Sequence, residues 1–233
     1  MRLTVRDRKL LAKLAAARWL STRQVAAFLF SNVSLEMARR RLRLLGESRY
    51  VFSWQHNSMA EALHSLDVKG REFLKEKGWE FAIKLERVPP KNLEHFLGIN
   101  DIRVAVERSA RSSDGLTIGF FYACWELQQR RWVYTVIPDA ACHIERQGSS
   151  ATVLFEYDRG QESPEYVART KFVPYARGLD GFPVSLIAVV SETPERSEQL
   201  RAKLCGHHDA EKFVFMERET LMRESWSIAQ WVI

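Results

Sequence analysis

Along the first ninety residues the apolar positions recur at helical spacing. Further on they gather into short runs. Leu3, Leu10, Leu11 and Leu14 keep one helical face after Thr4, and Asp7 in the first turn suits the positive end of a helix dipole. Ser21 and Gln24 form the capping box of a second helix, whose apolar face is Val25, Phe28 and Leu29. Ser31, Asn32 and Ser34 are candidate caps for a third. Its apolar positions are Leu35, Ala38, Leu42 and Leu45, with Gly46 as the expected stop. "YVFSW" and "ALHSLDV" then read as two short strands around the polar turn "QHNSMAE", and a fourth helix is expected from about Gly70 to Lys77. Three helices, a two-stranded wing and a closing helix make a winged helix-turn-helix.

The Pro-Pro pair in "LERVPPKN" ends that pattern, since neither proline continues a helix. "NLEHFLGINDIRVAVERSAR" predicts a helix apolar on more than one side, with a break near Gly98. Strands are expected at "TIGFFYACWEL", "RWVYTVIPDAACHIE", "ATVLFEYDRG", "VSLIAVV" and "KFVFME". Helices are expected from Glu165 to Tyr175, kinked or split by Pro174, at "PERSEQLRAKLCG", and at the terminal "ETLMRESWSIAQWV". The order predicts an α+β protein of two domains: residues 1–88, a winged helix-turn-helix, and residues 89–233, a mixed α/β sheet domain.

Charge sharpens this division. Of the 233 residues, 1–50 carry 12 Lys/Arg against 3 Asp/Glu, 51–90 are balanced at 6 of each, and 91–233 carry 17 against 20. A strongly basic first fifth joined to a near-neutral remainder points to a polyanion-binding module. In "ARRRLRLL" a helix turning about 100° per residue places Arg39, Arg40 and Arg43 opposite the apolar face, with Glu36 among them and Arg41 on the flank. Arg23, Arg39, Arg40, Arg43 and Arg49 are therefore the expected DNA-binding residues, gripping phosphate or reading guanine edges from the major groove. A run of arginine on a helix also serves simply to solvate an exposed face, and winged helices also dock proteins.

One constellation in the second domain could carry chemistry. Asp139 follows Pro138, and Glu156 and Asp158 are two apart on one strand and so share a face. Lys171 and Tyr175 follow on one side of a helix. Carboxylates gathered on one sheet face can hold Mg²⁺ or Mn²⁺, and a lysine nearby can orient water or offset negative charge. "PDAACHIE…LFEYD" resembles the PD-(D/E)xK nuclease core, with Asp158 standing where that motif has lysine and Lys171 as the one replacement. Under the nuclease reading Asp139, Glu156 and Lys171 are the catalytic residues, and the carboxylates gathered on the sheet face, Asp139, Glu156 and Asp158, are the metal ligands.

Over most of residues 3–177 the chain also resembles the replication-relaxation family of plasmid and mobile-element proteins. "LTVRDRKLLAKLAAARWLSTRQVA", "ARRRLRLL", "EHFLGINDIRVAVE", "PDA" and "FEYDRGQES…KFVPYA" occur in the family's order. That resemblance implies an N-terminal winged helix and a role in replication, relaxation or mobilisation. The expected function is sequence-specific binding of double-stranded DNA by an accessory or regulatory protein. The alternative is a Mg²⁺- or Mn²⁺-dependent DNA endonuclease; no other cofactor is expected. A homodimer is expected, joined through the second domain and the apolar "WSIAQWVI" ending, with replication or mobilisation proteins as further partners. No apolar run reaches a membrane span, and "MRLTVRDRKLL" lacks the pattern of a signal peptide. Cys124, Cys142 and Cys205 are odd in number and far apart, which suits reduced thiols in the cytoplasm. In "CGHH", Cys205, His207 and His208 invite a zinc site but lack a fourth ligand.

Overall fold

In the computed structural model, residues 1–29, 34–79, 83–130, 136–178, 184–205, 210–224, 228 and 231 are described. They form two compact units, Met1–Asn100 and Asp101–Ile233.

In the first unit, α1 (Val5–Ala17) begins at a reciprocal cap: Asp7 N–H donates to Thr4 Oγ1, and the Asp7 carboxylate accepts the Thr4 N–H. Strand β1 (Leu20–Ser21) leads into α2 (Thr22–Leu29), where Ser21 and Gln24 form the expected box at 3.0 and 3.2 Å. Ser34 caps α3 (Leu35–Glu47), and Ala38, Leu42 and Leu45 are its buried face. The other two proposed caps, Ser31 and Asn32, lie outside the described residues. The helix passes Gly46, and the residue that turns left-handed is Arg49, at φ 61°. A three-residue offset between stop signal and turn is tolerated because the Arg49 carbonyl is then anchored by the Lys69 N–H at 3.1 Å.

Strands β2 (Val51–Trp54) and β3 (Leu63–Leu66) form the hairpin, and β1 pairs with β3 to give an antiparallel sheet of order β1-β3-β2. Helix α4 (Val68–Glu76) starts at Asp67 and closes the unit. Its Gly70 is required by close approach: a Cβ there would lie 2.3 Å from the Tyr50 carbonyl oxygen and 2.9 Å from Leu66. This is the winged helix-turn-helix order. The two-residue β1 went unseen in the sequence because so short a strand has no period.

Helix α5 (Leu93–Ser112) is unbroken at Gly98. The unit boundary falls inside it, beyond the Pro-Pro pair, because its first half belongs to the winged unit. Asn100 Nδ2 donates to the Ala17 and Trp19 carbonyls at 3.2 and 2.9 Å, and Gln24 Nε2 donates to the Leu97 carbonyl at 2.8 Å.

The second unit holds β4 (Leu116–Ala123), β5 (Ala140–Arg146) and β6 (Ser149–Asp158) as an antiparallel meander. The expected strand "TIGFFYACWEL" ends early, since Cys124–Gln129 form helix α6. Glu126 is the cause: its carboxylate accepts the Ala123 N–H at 3.0 Å and caps the helix start. After β6 the chain rises through α7 (Pro164–Val167), a π turn (Ala168–Phe172) and α8 (Val173–Gly178). The wide turn lies directly before Pro174, which has no N–H to give an α-helical bond. Strand β7 (Leu186–Ser191), helix α9 (Pro194–Ala202), strand β8 (Phe213–Glu217) and helix α10 (Arg218–Arg223) complete the unit. The sheet order is β4-β5-β6-β7-β8, with β6, β7 and β8 parallel. Seven consecutive buried residues in β6 mark it as the central strand. Over one face Val167, Phe172, Tyr175, Leu200 and Leu204 pack on Ala141, Leu154, Ile187 and Val189. Of the proposed terminal helix, residues 225–227, 229–230 and 232 lie outside the described residues. No helix among the described residues is long and apolar enough to cross a membrane.

Candidate functional site

The winged unit presents an open groove of about 630 Å³ between α2, α3 and the hairpin. Arg23, Arg39 and Arg43 line it, together with Gln55, Met59 and Glu61. Arg39 and Arg43 point outward because Ala38, Leu42 and Leu45 take the other side of α3 into the core, and Arg23 stands on α2. Their side chains are 81%, 59% and 72% exposed. Each has only a loose acidic neighbour: Glu61 at 3.9 Å, Glu36 at 3.5 Å and Glu47 at 3.9 Å. Exposed pairs of this kind are worth little, so the guanidinium groups remain able to exchange partners. Arg40 and Arg49 are exposed but are not among the groove's lining residues.

Arg41 is different. Its guanidinium makes a two-pronged bond to buried Asp7, tying α3 to the start of α1, with Nε to Oδ1 at 2.7 Å. Burial alone would raise the Asp7 carboxyl, but the bonds from Arg41 and Thr4 outweigh it and hold it below the usual range. Beneath the groove His64 is buried between the Thr22 and Ser53 hydroxyls, each at 2.9 Å. Burial pulls its pKa down to about 4, so the ring is neutral at pH 7.

In the second unit the expected acidic residues part company. Glu156 is buried on β6, where Lys171 Nζ lies 3.0 Å from it and the Tyr175 hydroxyl donates to it. Burial, and then the nearby Asp139 charge, push Glu156 up to about 7, against the pull of Lys171 and Tyr175. The Lys171 ammonium is raised in turn: burial opposes this, but Glu156 and Asp139 prevail. Asp139 ties the segment before β5 to β6, its Oδ2 accepting the Tyr157 N–H at 2.8 Å.

Asp158 shares the strand face but belongs elsewhere. Arg196 holds it with Nε at 2.6 Å and Nη2 at 3.1 Å, and also reaches the Glu162 carbonyl at 2.7 Å. The chain thus brings Asp139, Glu156 and Lys171 together and leaves Asp158 in a separate ion pair. Arg196 was the missed residue. Its signal was a cation in the first turn of α9, where a helix dipole disfavours one unless an acid compensates it.

The three expected metal ligands do not form one set: Asp158 is taken by the Arg196 guanidinium, while Asp139 and Glu156 stay together, Glu156 engaged by Lys171 and Tyr175 and Asp139 by the Tyr157 N–H. Among the described residues no group of three or more His, Cys, Asp or Glu could hold a metal ion. His207 and His208 of the suggested zinc motif lie outside the described residues. Cys124, Cys142 and Cys205 are free thiols. Burial pushes Cys124 up to about 11 and Cys142 further, which removes both as nucleophiles at neutral pH. Cys142 and His143 point to opposite faces of β5; His143 Nδ1 pairs with Thr152 Oγ1 at 3.1 Å.

No curated protein matches the sequence. Among solved structures the chain is similar to the restriction endonuclease FokI, with 15% identity and a TM-score of 0.30. The match covers 99% of this chain and 46% of that one, so the chain spans less than half the length of the endonuclease. The profile of the replication-relaxation family matches residues 11–178, more than two thirds of the chain, and the protein belongs to that family.

Proposed function

We propose that this replication-relaxation protein is a sequence-specific double-stranded DNA-binding accessory or regulatory factor. Its cytoplasmic role would be in plasmid or mobile-element replication, relaxation or mobilisation. One observation carries the reading: Arg23, Arg39 and Arg43 converge, exposed and weakly held, on a groove bounded by α3 and the hairpin. A cationic helix face suits the major groove, with arginine reading guanine or gripping phosphate. Arg40 and Arg49, exposed but not among the groove's lining residues, are assigned to flanking phosphates. Because one such unit covers a short half-site, we propose that the chain acts as a homodimer on paired half-sites, alone or with replication or mobilisation proteins.

The cluster of Asp139, Glu156 and Lys171 is assigned a structural role, in which lysine and tyrosine compensate a buried carboxylate. The endonuclease reading would need a divalent metal on Asp139 and Glu156 alone, where Lys171 already offsets the Glu156 charge. The deciding assay is a gel shift with duplex DNA, paired with nicking of supercoiled plasmid in Mg²⁺ or Mn²⁺. Retarded duplex, lost when Arg23, Arg39 and Arg43 are replaced by alanine, and intact plasmid are expected. Metal-dependent nicking that disappears in both Asp139→Ala and Glu156→Ala would make the protein an endonuclease.

A further inference from the structure

The turn between β2 and β3 carries the most exposed large apolar side chain among the described residues, Met59, at 93%. Its backbone is pinned. Asn57 Oδ1 accepts the N–H groups of Met59 and Ala60 at 2.9 and 2.8 Å, and Gln55 Nε2 donates to the Ser58 and Ala60 carbonyls at 3.3 and 2.5 Å. Residues 55–60 contain no lysine or arginine, and Glu61 follows them. This tip has little with which to grip phosphate. What it offers is a long, flexible, apolar side chain on a fixed support, lining the same groove as Arg39 and Arg43.

We infer that in the DNA complex Met59 enters the minor groove beside the stretch held by α3 and wedges against a base step. The inference rests on the DNA-binding reading above. Apolar wedges partly unstack the bases and bend the duplex, and this costs least at flexible pyrimidine–purine steps. A pinned turn loses little freedom on binding, so more of the apolar burial appears as affinity. The two walls of the groove then divide the work: α3 supplies charge and base edges, and the hairpin supplies a preference for deformable sequence.

The test uses the full chain and duplexes selected from a random pool on the parent protein. Affinity, its salt slope and end-to-end energy transfer as a measure of bending are compared for the parent, Met59→Ala, Met59→Leu and the Arg39→Ala/Arg43→Ala pair. Met59→Ala should bind roughly tenfold more weakly, the loss expected when one long apolar side chain stays exposed. Its salt slope should be unchanged, the DNA less bent, and the preference for a pyrimidine–purine step lost; Met59→Leu should keep all of these. If Met59→Ala equals the parent in affinity, bending and step preference while the arginine pair weakens binding, the wedge is wrong and the DNA reading stands. A parent chain that binds no duplex overturns both.

Discussion

Two sets of charged groups, one in each unit, are deployed in opposite ways. In the winged unit the guanidinium groups of Arg23, Arg39 and Arg43 stand in solvent with acids no closer than 3.5 Å. In the sheet unit Glu156 and Asp158 are withdrawn from solvent and closed by Lys171 at 3.0 Å and Arg196 at 2.6 Å. Exposed charge on a rigid frame is free to take a new partner. Buried charge must be matched within the fold, and once matched it has little left for a ligand. The same residue types therefore read as a recognition surface in one place and as scaffold in the other.

The comparison breaks most readily at its frame. Gly70→Ala forces a Cβ to within 2.3 Å of the Tyr50 carbonyl, and we expect a loss of about 3 kcal/mol or more in the winged unit. A melting curve unchanged by this substitution would mean that α4 does not hold the wing as described. Lys171→Ala tests the other side, since it strips a buried carboxylate of its cation. About 3 kcal/mol is expected at pH 8, toward the low end for a broken buried pair because the ammonium is 35% exposed.

The pH dependence of the two units should run in opposite directions. Glu156, raised from 4.5 to about 7, contributes stability that is complete below pH 4.5 and lost as pH rises through 7. The Lys171→Ala defect should therefore shrink at pH 5, where Glu156 can take a proton, and Glu156→Gln should flatten the profile. His64, lowered from 6.5 to about 4, contributes stability that is present above pH 6.5 and declines toward pH 4, on the order of 3 kcal/mol. Chemical denaturation of residues 1–100 across that range measures it. The fragment 1–100 should also outlast 1–88, which lacks the Asn100 and Leu97 bonds.

The smallest effect on stability belongs to the groove. Replacing Arg23, Arg39 and Arg43 by alanine breaks only exposed pairs and should change unfolding free energy by less than about 1 kcal/mol. A larger loss would put these arginines among the structural charges and erase the contrast.

Much of this architecture was legible in the sequence because local rules govern it. The caps at Thr4, Ser21 and Ser34 and the helical spacing of Leu35, Ala38, Leu42 and Leu45 fixed both the helices and the outward side of α3. What escaped depended on partners distant in sequence. That Arg41 serves Asp7 and Arg196 serves Asp158 follows from pairings 34 and 38 residues apart, which no local period encodes. Pairing of α3 with the hairpin to form the groove is of the same kind. So is the parting of Asp158 from Glu156, despite their shared strand face. Glu126 was a local signal passed over: an acid three residues beyond Ala123 marks a helix start and ends the strand.

The most direct measurement is duplex affinity against salt concentration for the full chain and for its Arg23→Ala/Arg39→Ala/Arg43→Ala variant. If the three guanidinium groups displace counterions from phosphate, the slope of log affinity against log salt should fall by about 0.9 for each phosphate no longer neutralised, to a total near 3, with the variant still folded. Equal affinity and equal slope in the two proteins would contradict the assignment of this groove as the DNA-binding surface.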